Sequence, residues 1–304
     1  MAGWERTRQY QNHHLDSTRW DSIAYRENDI VITTSYKSGT TWTQWLVYNL
    51  VFRKENNPPP FPSCTPWIDE RLTTSLPDLI ALVEQQTHRR FLKSHLPADG
   101  LPFDERVKYV VVARDARDVF MSLVNHWSNY TDMIYQVMNT GNVGDDFPVW
   151  GGEVRDRWRE WISRGWFEWE SEGYPYWSNL YHTATFWPHR DLPNVLLLHY
   201  NDLQADLPGQ ITRLGDFLDI EVTPDAAQEI AAAAHIDEMR ANATRDGDPL
   251  AMAFKGGSQA FFFKGTNGRW KDVLSADDIA LYDTAKERVL EPAAVHWLEH
   301  GWLG

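Results

Sequence analysis

The chain has 304 residues, sixteen tryptophans, one cysteine and a formal net charge of −14 at pH 7. That acidity argues against nucleic acid or an anionic bilayer as the main partner, since both would repel it, and any anionic ligand must find a local cationic pocket. Cys64 has no second cysteine to pair with, which excludes an internal disulfide. No run of about 18 apolar residues occurs, and the opening Trp4-Glu5-Arg6-Thr7-Arg8 lacks a signal-like apolar core. The expectation is a cytoplasmic protein without an integral membrane segment.

Four apolar runs alternate with helical patterns. Ile30–Thr33 reads as a buried strand, followed by a Ser-Gly turn and a helix over Thr40–Phe52. Pro58, Pro59, Pro60 and Pro62 form a stiff connector, after which a helix over Pro77–Thr87 precedes a strand over Arg90–Lys93. A strand at Tyr109–Ala113 feeds a helix over Asp118–Trp127, and helical spacing continues over Trp150–Trp166 and Ser178–Trp187. The last strand, Val195–Leu198, is followed by helices over Gln210–Leu218, Pro224–Ala234 and Ala276–Leu290. Ala243–Asn267, rich in glycine and polar residues, reads as a mobile loop. Short apolar strands between helices imply an α/β fold, with a parallel sheet covered on both faces and residues 1–304 in one domain. Ligands of such sheets bind beyond the carboxyl ends of the strands.

The residues able to do chemistry cluster at those ends. Lys37-Ser38-Gly39-Thr40-Thr41 joins the first strand to its helix, where unpaired N–H groups and the helix dipole favour an anion and Lys37 adds a full charge. It is not the Gly-Lys-Ser/Thr loop of a magnesium nucleotide kinase, because Lys37 precedes Gly39 and no earlier glycine stands in the strand. Lys93 and His95 lie two apart at the end of the second strand, a pairing suited to charge stabilisation and general-base work. Arg114 stands where the third strand stops, with Ser122 about two helical turns on; a guanidinium fork and a hydroxyl suit a phosphate. Lys264-Gly265 and Gly268 form a loop able to wrap a second phosphate-bearing end. His13-His14 and His296/His300 have partial metal-ligand spacing and read as solvent-facing, so no metal site is expected. Among the clustered tryptophans, Trp158 and Trp161 sit at core-like i,i+3 spacing.

Taken together, Thr34 and Lys37–Trp42 resemble the 5′-phosphosulfate loop T-Y-P-K-S-G-T-T-W of the cytosolic sulfotransferases, with Ser35 and Tyr36 replacing Tyr and Pro. Lys93–Pro97 resembles the family's K-[ST]-H-L-P run, Arg114–Ser122 its 3′-phosphate segment, and Val195–Leu203 its strand ending in Y-[EN]-D-[LM]. Phe263–Trp270 resembles its R-K-G-x-x-G-D-W signature, with Phe263 in place of Arg and Arg269 in place of Asp. Further runs, Gln86–Phe91, Pro193–Val195 and Gln204–Leu207, are similar to actinobacterial members acting on glycolipids or lipid alcohols.

The resemblance implies a P-loop-like three-layer fold and transfer of a sulfuryl group from 3′-phosphoadenosine 5′-phosphosulfate (PAPS) to an acceptor hydroxyl, without a metal. It implies His95 as catalytic base, with Lys37 and Lys93 as charge stabilisers. Ser38, Gly39, Thr40, Thr41, Trp42, Arg114, Ser122, Tyr200, Lys264 and Gly265 join Lys37 around the nucleotide, and Ser38 would also restrain Lys37. The acceptor would be a small molecule: a phenol, sterol, lipid alcohol or glycolipid. A P-loop kinase and a non-catalytic nucleotide- or sugar-binding protein are the alternatives. Of the family's dimer motif only Lys271 and Ser275 survive, so the oligomeric state stays open.

Overall fold

A computed structural model describes residues 3–304 except Asn142, Arg245, Asp246 and the side chain of Pro249. Its sheet has strands β1 (Ile30–Thr34), β2 (Phe91–Ser94), β3 (Lys108–Ala113) and β4 (Val195–His199), all parallel in the order β2-β1-β3-β4. Alternate side chains enter two separate cores, as a period of two requires. Ile30, Ile32, Phe91, Val110, Val112, Leu196 and Leu198 face one side, where α1 (Thr40–Val51), α9 (Leu207–Phe217) and α10 (Pro224–Ala233) cover them. Val31, Leu92, Tyr109, Val111 and Leu197 face the other side. There they meet α3 (Leu76–Glu84), α4 (Ala116–Ser128), α6 (Val154–Ser163), α7 (Asn179–Phe186), α13 (Ala276–Val289) and α14 (Pro292–His300). The shorter helices α2 (Phe61–Cys64), α5 (Asp132–Asn139), α8 (Tyr200–Ala205), α11 (Ile236–Thr244) and α12 (Gly257–Phe261) fill the connections. Each Val, Leu or Ile so buried contributes roughly 1.5–3 kcal/mol, which is why these runs become strands despite their shortness.

The expected α/β three-layer architecture is present, with corrections at the edges. The span Ala243–Asn267 is not one loop: it holds the end of α11, a 3-10 turn at Pro249–Met252 and α12, although Arg245 and Asp246 lie outside the described residues. Gly256 and Gly257 take positive φ at the start of α12, so these glycines mark a helix boundary. The helix expected over Trp150–Trp166 is shorter, because Gly152 turns the chain at φ 81° before it and Arg164 is extended after it. Trp158 and Trp161 are buried against Phe120, as their spacing predicts. His13 and His14 are not solvent-facing: both are buried and their Nδ1 atoms lie 2.5 Å apart. Among the described residues no group of three or more His, Cys, Asp or Glu could hold a metal ion, and no helix is long and apolar enough to cross a membrane.

The strand order creates the site. The chain leaves β1 toward β2 on one side and returns to β3 on the other, so the crevice at the carboxyl ends of β1 and β3 is a topological switch point.

Candidate active site

Each strand delivers one part of the site. The loop after β1 carries Lys37 with φ 64° and Gly39 with φ 106°. The first is a left-handed conformation that costs a non-glycine residue about 1–2 kcal/mol, and such strain persists only where surroundings enforce it. At Gly39 a β-carbon would also meet the Tyr200 ring at 3.0 Å, so α1 can begin beneath that ring only on glycine.

His95 follows β2 and is 2 % exposed. Its Nδ1 lies 2.8 Å from the Thr34 carbonyl and 3.2 Å from Thr34 Oγ1. Nδ1–H therefore donates to that carbonyl, leaving the Nε2 lone pair available. Burial, and then the Lys93 charge, hold the imidazole well below its usual pKa. Lys93 rests its ammonium 3.9 Å above the Trp67 ring. Burial pulls its pKa down to about 8, opposed by Asp69 and Glu70.

The start of α4 supplies the third part. Asp115 caps it through Arg117 N–H, and Asp118, Ser122 and His126 follow at i+4 steps on one face. Arg114 is 5 % exposed and lies 4.1 Å over the Tyr200 ring, donating to Asn267 Oδ1 at 3.0 Å from Nε and to the Thr266 carbonyl at 3.1 Å. Asp118 accepts from Gly268 N–H at 2.7 Å, which ties the C-terminal loop to this helix. Arg269 folds back across the same face, where it donates to the Met121 carbonyl at 3.0 Å and leaves its Nε buried without a partner among the described residues.

These parts line one cavity of about 520 Å³. Lys37, Gly39, Thr40, Thr41, Trp42, Lys93, His95, Arg114, Ser122, Tyr200, Lys264 and Gly265 all reach it. Ser38 does not; it is fully buried, with its hydroxyl 2.7 Å from that of Ser35. The ammonium of Lys37 lies 3.2 Å from His126 Nδ1, so in this structure His126 takes the place expected for Ser38. Burial first, then Arg114 and Lys93, bring the Lys37 pKa down to about 7. His126 Nε2 in turn meets the Tyr36 hydroxyl at 3.1 Å, and the Tyr36 ring lies 5.1 Å from that of His95. His126 was legible as the i+4 neighbour of Ser122. Arg269 was visible but had no direction, because the glycines around it set the loop path. Of the clustered tryptophans, Trp177 approaches His95, at 5.6 Å between ring centres.

Fold and site define an α/β protein with a cationic pocket at its switch point. The sulfotransferase domain family matches residues 27–292, and the chain belongs to it. It is 31% identical over 311 residues to a glycolipid sulfotransferase of Mycobacterium bovis, covering 97% of this chain and 95% of that one. A luciferin sulfotransferase of Photinus pyralis is 26% identical, over 85% of this chain and 70% of its own. In fold, the chain is similar to a mouse sulfotransferase complexed with PAP, with TM-score 0.67, 18% identity and coverage of 92% and 91%. It is also similar to retinol dehydratase in complex with androsterone and PAP, with TM-score 0.66, 20% identity and coverage of 91% and 87%. The enzyme is a sulfotransferase.

Proposed function

We propose that residues 1–304 act as one domain that transfers the sulfuryl group of PAPS to a hydroxyl of a glycolipid or similar lipid alcohol. His95 is the base in this reading. The observation that carries it is the orientation of that imidazole: Nδ1–H is bonded to Thr34 O at 2.8 Å, and the ring lines the same cavity as Lys37 and Lys93. Nε2 takes the acceptor proton while the acceptor oxygen bonds to sulfur. The bond from sulfur to the 5′-phosphate oxygen breaks, and its electron pair stays on that oxygen, which Lys37 and the loop N–H groups neutralise. Lys93 faces the equatorial sulfuryl oxygens. The products are a sulfate ester and 3′-phosphoadenosine 5′-phosphate (PAP), and the imidazolium returns its proton to water. Donors aimed in advance at developing charge contribute about 3–4 kcal/mol each in comparable oxyanion sites.

Arg114 and Ser122 hold the 3′-phosphate, joined by Arg269, whose Nε is a buried donor lacking a partner among the described residues. Trp42, Tyr200 and Gly265 border the adenine side, with Lys264 at the rim. These cations supply the charge that a metal supplies in phosphoryl transfer, so we read the reaction as metal-independent. Glycolipid is favoured as acceptor by the glycolipid sulfotransferase relatives and by aromatic side chains lining the cavity, Tyr36 beside the base and Phe261 beneath the Lys37 ammonium. His95→Ala should lose transfer by at least about 100-fold while PAP still raises the melting temperature as it does in the wild type. Retained turnover, or loss of PAP binding, would contradict the assignment of the base.

A further inference from the structure

Below the floor of the site lies a carboxylate that plays no part in the chemistry described so far. Asp69 is wholly buried. It accepts from Trp67 Nε1 at 2.8 Å, Trp20 Nε1 at 3.1 Å and the backbone N–H of His95 at 3.1 Å. Its backbone carbonyl takes Asp16 N–H at 2.8 Å. Residues 66–68 run beside β2, with Lys93 N–H bonded to Pro66 O at 2.9 Å and Ile68 N–H to Lys93 O at 3.0 Å. One carboxylate thus touches the turn that carries the base and the indole whose face seats the Lys93 ammonium. A buried carboxylate costs several kcal/mol unless such donors compensate it, so its presence here calls for a reason.

We propose that Asp69 is a positioning residue for sulfuryl transfer: through Trp67 it holds Lys93 in place and charged, and through the backbone it fixes the His95 turn. The proposal rests on the roles given above to Lys93 and His95. The charged and titratable groups around it are consistent with this division. Arg19 lies on the Trp20 side and its electrostatic pull reaches Asp69, while Glu70, the neighbouring residue, also acts on Lys93. His14 and His95 are both held neutral near neutral pH. Burial pushes the Asp69 carboxyl up, and its N–H donors pull it back. Of the two carboxylates acting on Lys93, Asp69 has the larger effect.

The test is Asp69→Asn in the full chain, followed by the pH profile of kcat/KM for PAPS. Losing a negative neighbour makes a lysine surrender its proton at lower pH. Lys37, which faces Lys93 across the cavity, titrates first, at about 7, so the limb followed is the second alkaline step, that of Lys93. That limb should move down by about one pH unit or more. The same substitution in a Lys93→Arg background should show no such movement, since guanidinium does not titrate there. In parallel, kcat should fall at least about tenfold while PAP affinity stays within about twofold. An unmoved limb in Asp69→Asn, or an equal movement in the Lys93→Arg background, overturns the proposal. If Asp69→Asn does not fold, or Lys93→Arg has no measurable turnover, Trp67→Phe carries the test. It keeps a ring beneath the ammonium and removes the indole N–H; kcat should drop several-fold with PAP affinity kept, and a wild-type kcat would refute the role. His95→Ala separates the two levels: if it remains active, the underlying reading fails, whatever Asp69→Asn does.

Discussion

Arg269 is one of the few residues here whose value could not be derived from the pattern in which it sits. A guanidinium stands in the place of the family's aspartate, while Phe263 removes the arginine expected earlier in the loop. In the folded chain Arg269 shares a wall with Arg114, each feeling the other's charge, and burial with that repulsion lowers its pKa. Two like charges and an unpaired buried Nε make an arrangement that a phosphate would relax. A hydrogen bond to a charged partner contributes about 1.5–3 kcal/mol, so Arg269→Ala should weaken PAP binding about ten- to a hundred-fold. Arg269→Lys should recover part of it, because an ammonium restores the charge without the fork. Calorimetric titration with PAP measures both; an unchanged affinity in the alanine variant would remove Arg269 from the 3′-phosphate site.

At the scale of elements, β1 and β2 are locked where they begin. Asp29 and Arg90 are 2 % and 1 % exposed and form a two-pronged ion pair, with Arg90 also donating to the Ala24 carbonyl at 2.7 Å. Ile30 N–H bonds to Arg90 O at 2.9 Å, so the clamp also sets the register from which Thr34 and His95 meet at the other end. Removing one partner of a buried pair strands the other, at a cost of about 3–5 kcal/mol. Asp29→Ala should lose that much in urea denaturation, and a loss under about 1 kcal/mol would mean water reaches the guanidinium. These strands were legible because parallel strands buried on both faces read as apolar runs; β1 and β4 each extend one residue past the expected end, through Thr34 and His199. Polar ends are less visible than apolar middles, although Thr34 is the residue whose carbonyl orients the His95 ring. The segment after α10 was illegible for the opposite reason. Its short helices are held by long-range anchors such as Asn125 Nδ2 to the Ala260 carbonyl at 2.8 Å, and no local period reports those. His95, Lys37, Lys93 and Arg114 were readable because each sits at or just past a strand end; Asp69 acts through contacts between distant segments.

For the molecule as a whole, the acidic surface implied by −14 encloses an interior unusually rich in neutral imidazole. Burial is the largest cause lowering the pKa of His13, His14, His95, His126, His182, His189 and His199. Such a group takes up a proton more readily once unfolded. Its stability contribution is therefore complete above about pH 6.5 and is lost as pH falls toward its folded value, about 3 for His14 and His182. Four buried carboxyls work the other way: Glu170 and Glu172 are raised to about 8 and 7, chiefly by burial, and Asp69 and Asp118 are raised as well. They hold protons in the fold that the unfolded chain releases, so they favour lower pH. Lys37 and Lys93, with folded values of about 7 and 8, change the balance only near and above neutrality. The five histidines held furthest down, His13, His14, His95, His126 and His182, outweigh the four carboxyls as pH falls below about 6.5, each net proton being worth about 1.4 kcal/mol per pH unit. The melting temperature should fall steadily from pH 7 to pH 5. Glu170→Gln should make that fall steeper, since it removes one of the opposing carboxyls. Scanning calorimetry across this range decides the matter: a melting temperature that is level or rises toward pH 5 would mean the buried imidazoles find compensating partners when protonated.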